Sequence, residues 1–351
     1  MRQSLTRYII RRGLQSVLLI WLATVIGFSF YRLAPGGPLQ FLNDDPKRTS
    51  ADYNRLTVLY GLDRPVLVQY LVWLAGEDWL SALPGGAAAA QSGRCRDAYE
   101  KCGRGVLRLD FGRSFHFKGE RVIDLIVGRI PATFLLGFSS LLLSVIVGIP
   151  AGVYAAFNRG KLVDHIIRFA TVLVNTVPEW WIGLLLLIIL GGYLGLVPLG
   201  GMETIGDGSL LDRLRHLILP AMVSAIGGWI STSRIIRFEI LEVLNQDYVR
   251  TARAKGLTER LVITRHVLRN AILPFVTGLG GIFLLFLSGS ILFELVFSWP
   301  GMGRLAVIAI NSRDYPVMMG LFVISSCLGI LGILTVDILY GFVDPRVKYE
   351  T

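Results

Sequence analysis

The sequence predicts an all-α integral membrane protein with six transmembrane helices and a large extracytoplasmic segment after the first. Three observations carry this. Of the 351 residues, 53% are hydrophobic and only 17% charged, with a mean hydropathy of +0.58, whereas ordinary soluble domains are roughly 25% charged. The apolar residues are gathered in long blocks able to span a hydrocarbon layer. The basic residues flank those blocks unevenly. Segments assigned to the inside hold 17 Lys/Arg and the two short outside loops hold 4, which places both termini in the cytoplasm. The net charge of +10 has the same origin, so membrane lipid is the expected partner and nucleic acid is not.

Residues 1–31 form a cytoplasmic N-terminus and helix one. Arg2, Arg7, Arg11 and Arg12 precede Gly13–Tyr31, which is free of charge for 19 residues, about 28 Å as a helix. No small-residue cleavage site follows, and Arg32-Leu33-Ala34-Pro35-Gly36 ends the helix, so a secretory signal is not indicated. Residues 32–129 are polar and carry fourteen Lys/Arg. A loop that long escapes the positive-inside rule and is placed outside. Within it, Tyr60–Leu74 has the spacing of an amphipathic helix. The stretch at about 77–105 includes PGGAAAAQSG, which reads as flexible linker. It also holds Cys95 and Cys102 on the oxidising side, where a disulfide is expected. Cys327 sits in an apolar block and reads as an inert small side chain.

Residues 130–351 supply the other five spans. Ile130–Asn158 carries no charge and is helix two; Phe157–Arg168 is a short basic inside loop. Phe169–Tyr193 is helix three, interrupted at Pro178-Glu179, and Leu196–Arg215 is an outside loop. His216–Ser233 is helix four, Asn270–Phe293 helix five, and Tyr315–Val336 helix six. Phe297–Pro316 is the second outside loop and Val343–Tyr349 an inside tail.

Between helices four and five lies the most informative stretch, residues 234–270. It holds eight Lys/Arg against four acids and is therefore cytoplasmic. Asp247 is suited to N-cap a short helix running through Lys255, and Gly256 to close it in a left-handed conformation. Thr258 can cap the next helix. Ala252 and Ala254 are small enough for the helix to enter a partner's groove.

DYVRTARAKGL followed by RHVLRNAILP resembles the coupling loop of the B-type permease subunit of dipeptide and oligopeptide ABC importers, a binding-protein-dependent transport system inner-membrane component. The general loop of such permeases reads Glu-Ala-Ala, three residues, Gly, nine residues, Ile-x-Leu-Pro. Here Arg250, Thr251 and Ala252 stand at the Glu-Ala-Ala places and Gly256 keeps the glycine. His266-Val267-Leu268-Arg269 replaces Ile-x-Leu-Pro, and the proline follows at Pro274, a variant similar to the peptide-type branch. RLAPGGP (Arg32–Pro38), LDFGRSF (Leu109–Phe115), VIDLIVGRIPAT (Val122–Thr133), FSWPGMGRL with RDYP (Phe297–Pro316) and VDPRVKY (Val343–Tyr349) are also similar to the family. Only about 77–105 is unmatched.

The resemblance implies a type I ABC importer permease-like fold. Its implied partners are a homologous second permease subunit, two ABC ATPase subunits and an extracytoplasmic substrate-binding protein, in a bacterial inner membrane. Its implied coupling residues are Asp247, Tyr248, Thr251, Ala252, Ala254, Lys255 and Gly256. Asn175, Pro178, Glu179 and Trp180 are candidates for a translocation pathway. Glu179 lies about 16 Å into helix three; it either lines the pathway and meets a positive group on the cargo, or is paired with a neighbouring helix or carried as the neutral acid. Glu294 and Asp337, near span ends, read as structural pairs.

Chemistry on the chain itself is not indicated. Gly160-Lys161 is followed by Leu162, so there is no nucleotide-binding P-loop. The four His (116, 165, 216, 266) are scattered and form no metal-ligand set. No Gly-x-Ser-x-Gly elbow is present. ATP and Mg are expected on partner subunits, with no cofactor and no catalytic residue on this chain. Two other classes compete. A secondary transporter would show inverted repeats, and its uptake would not depend on ATPases. A membrane scaffold would copurify with partners without any flux. The expected cargo is peptide, with oligosaccharides or nickel chelates as alternatives for the same machinery.

Overall fold

The structure is a computed structural model that describes residues 2–33, 54, 57, 61–76, 104–272, 275 and 291–343. Its helices are α1 (Arg2–Leu33), α2 (Val66–Ala75), α3 (Val122–Val127), α4 (Ile130–Phe157), α5 (Leu162–Thr176), α6 (Glu179–Leu186), α7 (Leu210–Leu244), α8 (Asp247–Ala254), α9 (Ile291–Val296), α10 (Met302–Asn311) and α11 (Tyr315–Val343). A wider, π-helical turn follows α6 at Leu187–Tyr193. Glu259–Leu261, a second π-helical turn at Val262–Val267 and Leu268–Ala271 follow α8. There is no β-sheet among the described residues. The chain forms two compact units, Met1–Ile130 with Leu305–Leu331, and Pro131–Arg304 with Gly332–Thr351.

In the first unit, α2 begins behind Pro65, whose fixed φ of −55° ends the preceding turn and starts the helix without an orphan donor. The helix therefore starts at Val66, later than the amphipathic spacing from Tyr60 predicts. Tyr70 and Trp73 pack on Phe28 of α1, with ring centroids 5.4 and 5.8 Å away. The Tyr70 hydroxyl lies 2.8 Å from the Thr24 hydroxyl. Further along, Asp314 is fully buried. It accepts the Ser114 hydroxyl and the backbone N–H groups of Phe115 at 3.2 Å and His116 at 3.1 Å. A buried carboxylate needs such donors, and they pin the LDFGRSF segment to RDYP.

The second unit is built on α4 and α7. Ser140, Ser144, Gly148, Gly152 and Ala156 recur every fourth residue along α4, and all are buried. A β-carbon at Gly148 would collide with Thr232, and one at Gly152 with the Ser233 carbonyl. Small residues on one face let two apolar helices approach closely where lipid offers no hydrophobic driving force. The Ser144 hydroxyl donates to the Ser140 carbonyl at 2.8 Å and the Ala225 carbonyl at 3.2 Å.

Among the described residues, four helices are long and apolar enough to cross a membrane: Ile9–Phe30, Val122–Phe157, Leu210–Leu244 and Tyr315–Thr335. Asp164–Val174 and Glu179–Tyr193 meet at 95° and make a fifth if the bent pair is one span. The expected helix five, Asn270–Phe293, lies mostly outside the described residues, as does most of the insertion at about 77–105, with Cys95 and Cys102.

Two boundaries correct the sequence reading. Helix four was expected at His216–Ser233, but α7 runs Leu210–Leu244, about 52 Å at 1.5 Å per residue, well beyond a hydrocarbon core of about 30 Å. The first eleven residues of the expected loop, from Arg234 to Leu244, are thus helix. The loop expected at Phe157–Arg168 shrinks to 158–161, because α5 already starts at Leu162.

Candidate functional site

α7 ends at Leu244, and Asn245 and the extended Gln246 (ψ 146°) turn the chain into α8. Gln246 takes the N-cap place that was expected of Asp247, and its side chain makes no capping bond. Asp247 is instead the first helical residue, where its charge faces the positive end of the helix dipole. Thr258 does occupy the N-cap place before Glu259, again without a side-chain bond.

The other end of α8 is closed tightly. Gly256 has φ +76°. Its N–H reaches the Arg253 carbonyl at 2.9 Å, and the Leu257 N–H reaches the Ala252 carbonyl at 3.4 Å. That pair of bonds is the Schellman motif, which satisfies the orphan carbonyls of the last turn and needs a left-handed residue. A β-carbon at Gly256 would meet nothing within 4 Å, so backbone conformation, not space, requires glycine there.

α8 has two faces. Val249 and Ala252 are buried in a cluster with Ala156 of α4, Ile236 and Ile240 of α7, and Val262, Val267, Ala271 and Phe275. Asp247, Tyr248, Arg250, Thr251, Arg253, Ala254, Lys255 and Gly256 are exposed. Ala252 therefore faces its own core rather than a partner's groove, a correction. The reason is spacing: Val249 and Ala252 are one helical turn apart and share the inner face. Small size at 252 allows close approach to α7, not to another chain.

Polar bonds fix the same arrangement. The Asn270 amide donates to the Tyr248 hydroxyl at 3.1 Å. The Arg253 guanidinium donates to Glu259 across the Gly256 turn at 2.6 Å and holds its carboxyl below the usual carboxylate range.

Sequence reasoning missed a second feature of this region. Asp164, in the first turn of α5, is fully buried. It accepts the Gly160 N–H at 3.0 Å, the Arg168 guanidinium at 2.6 Å and Nη2 of Arg237 at 3.1 Å. Nε of Arg237 lies 2.7 Å away but is too poorly aligned to bond. Asp164 thus ties α5 to Arg237 of α7, about two turns before α7 ends at Leu244. The available signal was the i, i+4 Asp164–Arg168 pair.

The bend between α5 and α6 makes a groove. Pro178 disfavours a helical residue before it, and Val177 is extended at φ −101°, ψ 124°. The groove measures about 350 Å³ and is lined by Val174, Thr176, Val177, Pro178, Glu179, Trp180 and Phe293. Three of the four predicted pathway residues, Pro178, Glu179 and Trp180, come together there. Asn175 lies in the last turn of α5, and its side chain is outside the described set. The Glu179 carboxylate lies against Gly227 of α7, where a β-carbon would collide with it.

Glu294 is fully buried. It accepts the Thr133 hydroxyl at 2.8 Å and the Arg304 N–H at 2.9 Å. Nearby, Trp299 donates to the Ala132 carbonyl at 2.7 Å, so FSWPGMGRL is docked on the start of α4. The Asp337 side chain lies outside the described set. Among the described residues, no group of three or more His, Cys, Asp or Glu comes together that could hold a metal ion.

Long apolar helices joined by a short polar-faced helix are those of a membrane protein, and comparison with known proteins specifies the class. Residues 148–349 match the family model of the binding-protein-dependent transport system inner membrane component, and residues 5–137 match the N-terminal model of the same systems. The chain is 39% identical to the oligopeptide transport system permease protein AppB of Bacillus subtilis, covering 97% of this chain and 99% of the relative. It is 33% identical to the dipeptide transport system permease protein DppB of Escherichia coli K12, covering 93% and 94%. A solved inward-facing MetNI methionine ABC transporter is matched at TM-score 0.49 and 16% identity, over 63% of this chain and 97% of that one.

The chain belongs to the family of inner-membrane components of binding-protein-dependent transport systems. It is an ABC transporter permease subunit, a multi-pass membrane protein in which ATP hydrolysis is left to separate subunits.

Proposed function

We propose that this chain is one permease half of an ATP-driven importer that carries di- and oligopeptides from an extracytoplasmic binding protein into the cytoplasm. It pairs with a homologous second permease. Two ATPase subunits bind ATP and Mg and drive it through α8, and both its termini are cytoplasmic. Asn175, Pro178, Glu179 and Trp180 line the cargo path. The family match and the names of AppB and DppB support the cargo class.

The observation that carries the coupling role is the two-sided α8. Its inner face is packed on the ends of two long helices through Val249 and Ala252. Its outer face is polar, exposed and closed by Gly256. A short rigid helix so mounted transmits displacement, because packed interiors pass strain on rather than absorb it.

The test is reconstitution of the complete transporter in proteoliposomes. The binding protein loaded with tri- and tetrapeptides should stimulate ATP hydrolysis and peptide uptake together. Stimulation only by a maltooligosaccharide or a nickel chelate would overturn the peptide reading. Uptake without ATP, driven by an ion gradient, would overturn the importer class.

A further inference from the structure

We infer that Glu179, seated against Gly227, forms a subsite for the protonated primary amine of the cargo as it passes the α5–α6 bend; this rests on the peptide-importer reading above. The first argument is contrast. Glu179 is half-buried, and the buried carboxylates among the described residues are each bonded: Asp164 by Arg168, Arg237 and Gly160, Asp314 by Ser114 and two backbone N–H groups, Glu294 by Thr133 and Arg304, and Asp212 by Thr204. Among the described residues, none bonds to the Glu179 carboxylate. An intramembrane carboxylate is costly and calls for a partner.

The second argument is the surroundings. Among the described residues, Glu179 is the one charged side chain lining a groove of about 350 Å³, within the size range of small-molecule sites. Its neighbours Val177, Pro178, Trp180 and Phe293 offer apolar area, and the two aromatic residues are of the kind that attract an ammonium. On α7 the nearest basic residues to Gly227 are Arg234 and His216, seven and eleven residues away, about 10 and 16 Å along the helix.

The third argument is Gly227 itself. It lies within a long helix, where glycine is unfavourable by about 1 kcal/mol relative to alanine. Its lack of a β-carbon gives the carboxylate room to sit against α7. A negative charge held in a groove that also carries the Thr176 hydroxyl and the apolar surfaces of Val177, Pro178, Trp180 and Phe293 fits a cationic amine beside a small apolar side chain. Two sources share that chemistry, the amino terminus of a peptide and a lysine side chain.

The experiment uses the full transporter in proteoliposomes, with the binding protein supplied preloaded with trialanine, N-acetyl-trialanine or N-acetyl-Ala-Lys-Ala. In the unaltered protein, trialanine should be taken up faster than N-acetyl-trialanine. Glu179→Gln should slow trialanine uptake about tenfold, the loss of one charge-assisted bond, and bring the two rates close together. Glu179→Asp should restore part of the preference, which a space-filling role would not do. Fast uptake of N-acetyl-Ala-Lys-Ala that Glu179→Gln abolishes assigns the subsite to any primary amine. Slow uptake of it assigns the subsite to the amino terminus. Glu179→Gln moving trialanine at the unaltered rate, or slowing all three peptides equally, overturns the subsite and leaves the peptide reading standing. No uptake of any peptide by the unaltered protein, with a sugar transported instead, overturns the peptide reading itself.

Discussion

Gly256 and Ala252 make different demands on α8, and their substitutions separate two roles. Gly256 sits at φ +76°, where a β-branched side chain is a rare outlier and strain costs about 1–3 kcal/mol. Gly256→Val should therefore loosen the end of α8 while the complex still assembles. The binding protein should then no longer stimulate ATP hydrolysis; retained stimulation with normal uptake would rule out the role of the turn. Ala252, 5% exposed, has no room for a large side chain. Ala252→Trp should lower the melting temperature of the purified complex, since overpacking costs about 1–3 kcal/mol or more. Ala254, on the exposed face, should behave oppositely: Ala254→Trp leaves the melting temperature unchanged and blocks stimulation. Equal melting effects of the two would mean that the faces are misassigned. The closure at Gly256 was legible because helix ends depend on local chain chemistry. The direction of Ala252 was legible only on noting that Val249 lies one turn earlier, which makes 249 and 252 the inner face.

Between elements, the bond that matters most is the one sequence reasoning passed over. Asp164 joins α5 to Arg237 of α7, two turns before the end of α7 from which α8 departs. Asp164→Asn would leave Arg237, whose side chain is 19% exposed, short of its counter-charge. Breaking such a pair costs about 3–5 kcal/mol when fully buried, and less here because Arg237 keeps some solvent. The complex should melt several degrees lower, and stimulation of ATP hydrolysis should weaken. Arg168→Ala should do much less, because Arg168 is 56% exposed and exposed pairs contribute about 0–1 kcal/mol. A double-mutant cycle of Asp164 with Arg237 reads the coupling directly; additive losses would show the two groups to be independent. Why was this hidden? Composition marks where lipid ends, not where a helix ends. Arg234, Arg237, Glu239 and Glu242 read as loop, yet nothing between Pro220 and Asn245 breaks the helix, so α7 continues past its apolar block to Leu244. For the same reason Asp164 and Arg168 belong to a helix rather than to a basic loop. The α4–α7 contact had a legible signal in Ser140, Ser144, Gly148, Gly152 and Ala156, a repeat of four that hydropathy averaging erases.

The whole chain is governed by where its charges fall relative to its apolar blocks. Hydropathy placed spans at Gly13–Tyr31, Ile130–Asn158 and Tyr315–Val336, which overlap the long apolar helices at Ile9–Phe30, Val122–Phe157 and Tyr315–Thr335, because each holds few charges over a membrane's width. It could not foresee that α5 and α6 meet at 95°, since a proline marks a break but not its angle. Orientation rests on the 17 to 4 excess of Lys/Arg on the inside segments and can be read by labelling. After replacement of Cys95, Cys102 and Cys327 by serine, single cysteines would be placed at Ile205, Lys161 and Lys255. Ile205 is fully exposed at 102%, and Lys161 and Lys255 are exposed as well, so access will depend on side and not on burial. In sealed cells a membrane-impermeant maleimide should label Ile205→Cys and spare the other two. Permeabilised cells should show all three labelled, which establishes that the spared thiols are reactive. Labelling of Lys255→Cys in sealed cells would put α8 on the outside, away from any ATPase, and would overturn the coupling assignment together with the orientation. Labelling of Lys161→Cys alone would mean that the bent α5–α6 pair does not cross the membrane as one span, since residues 161 and 255 would then lie on opposite sides. Asp164 and Arg237 are bonded to each other near those two positions, and a single side for both is the outcome their bond requires.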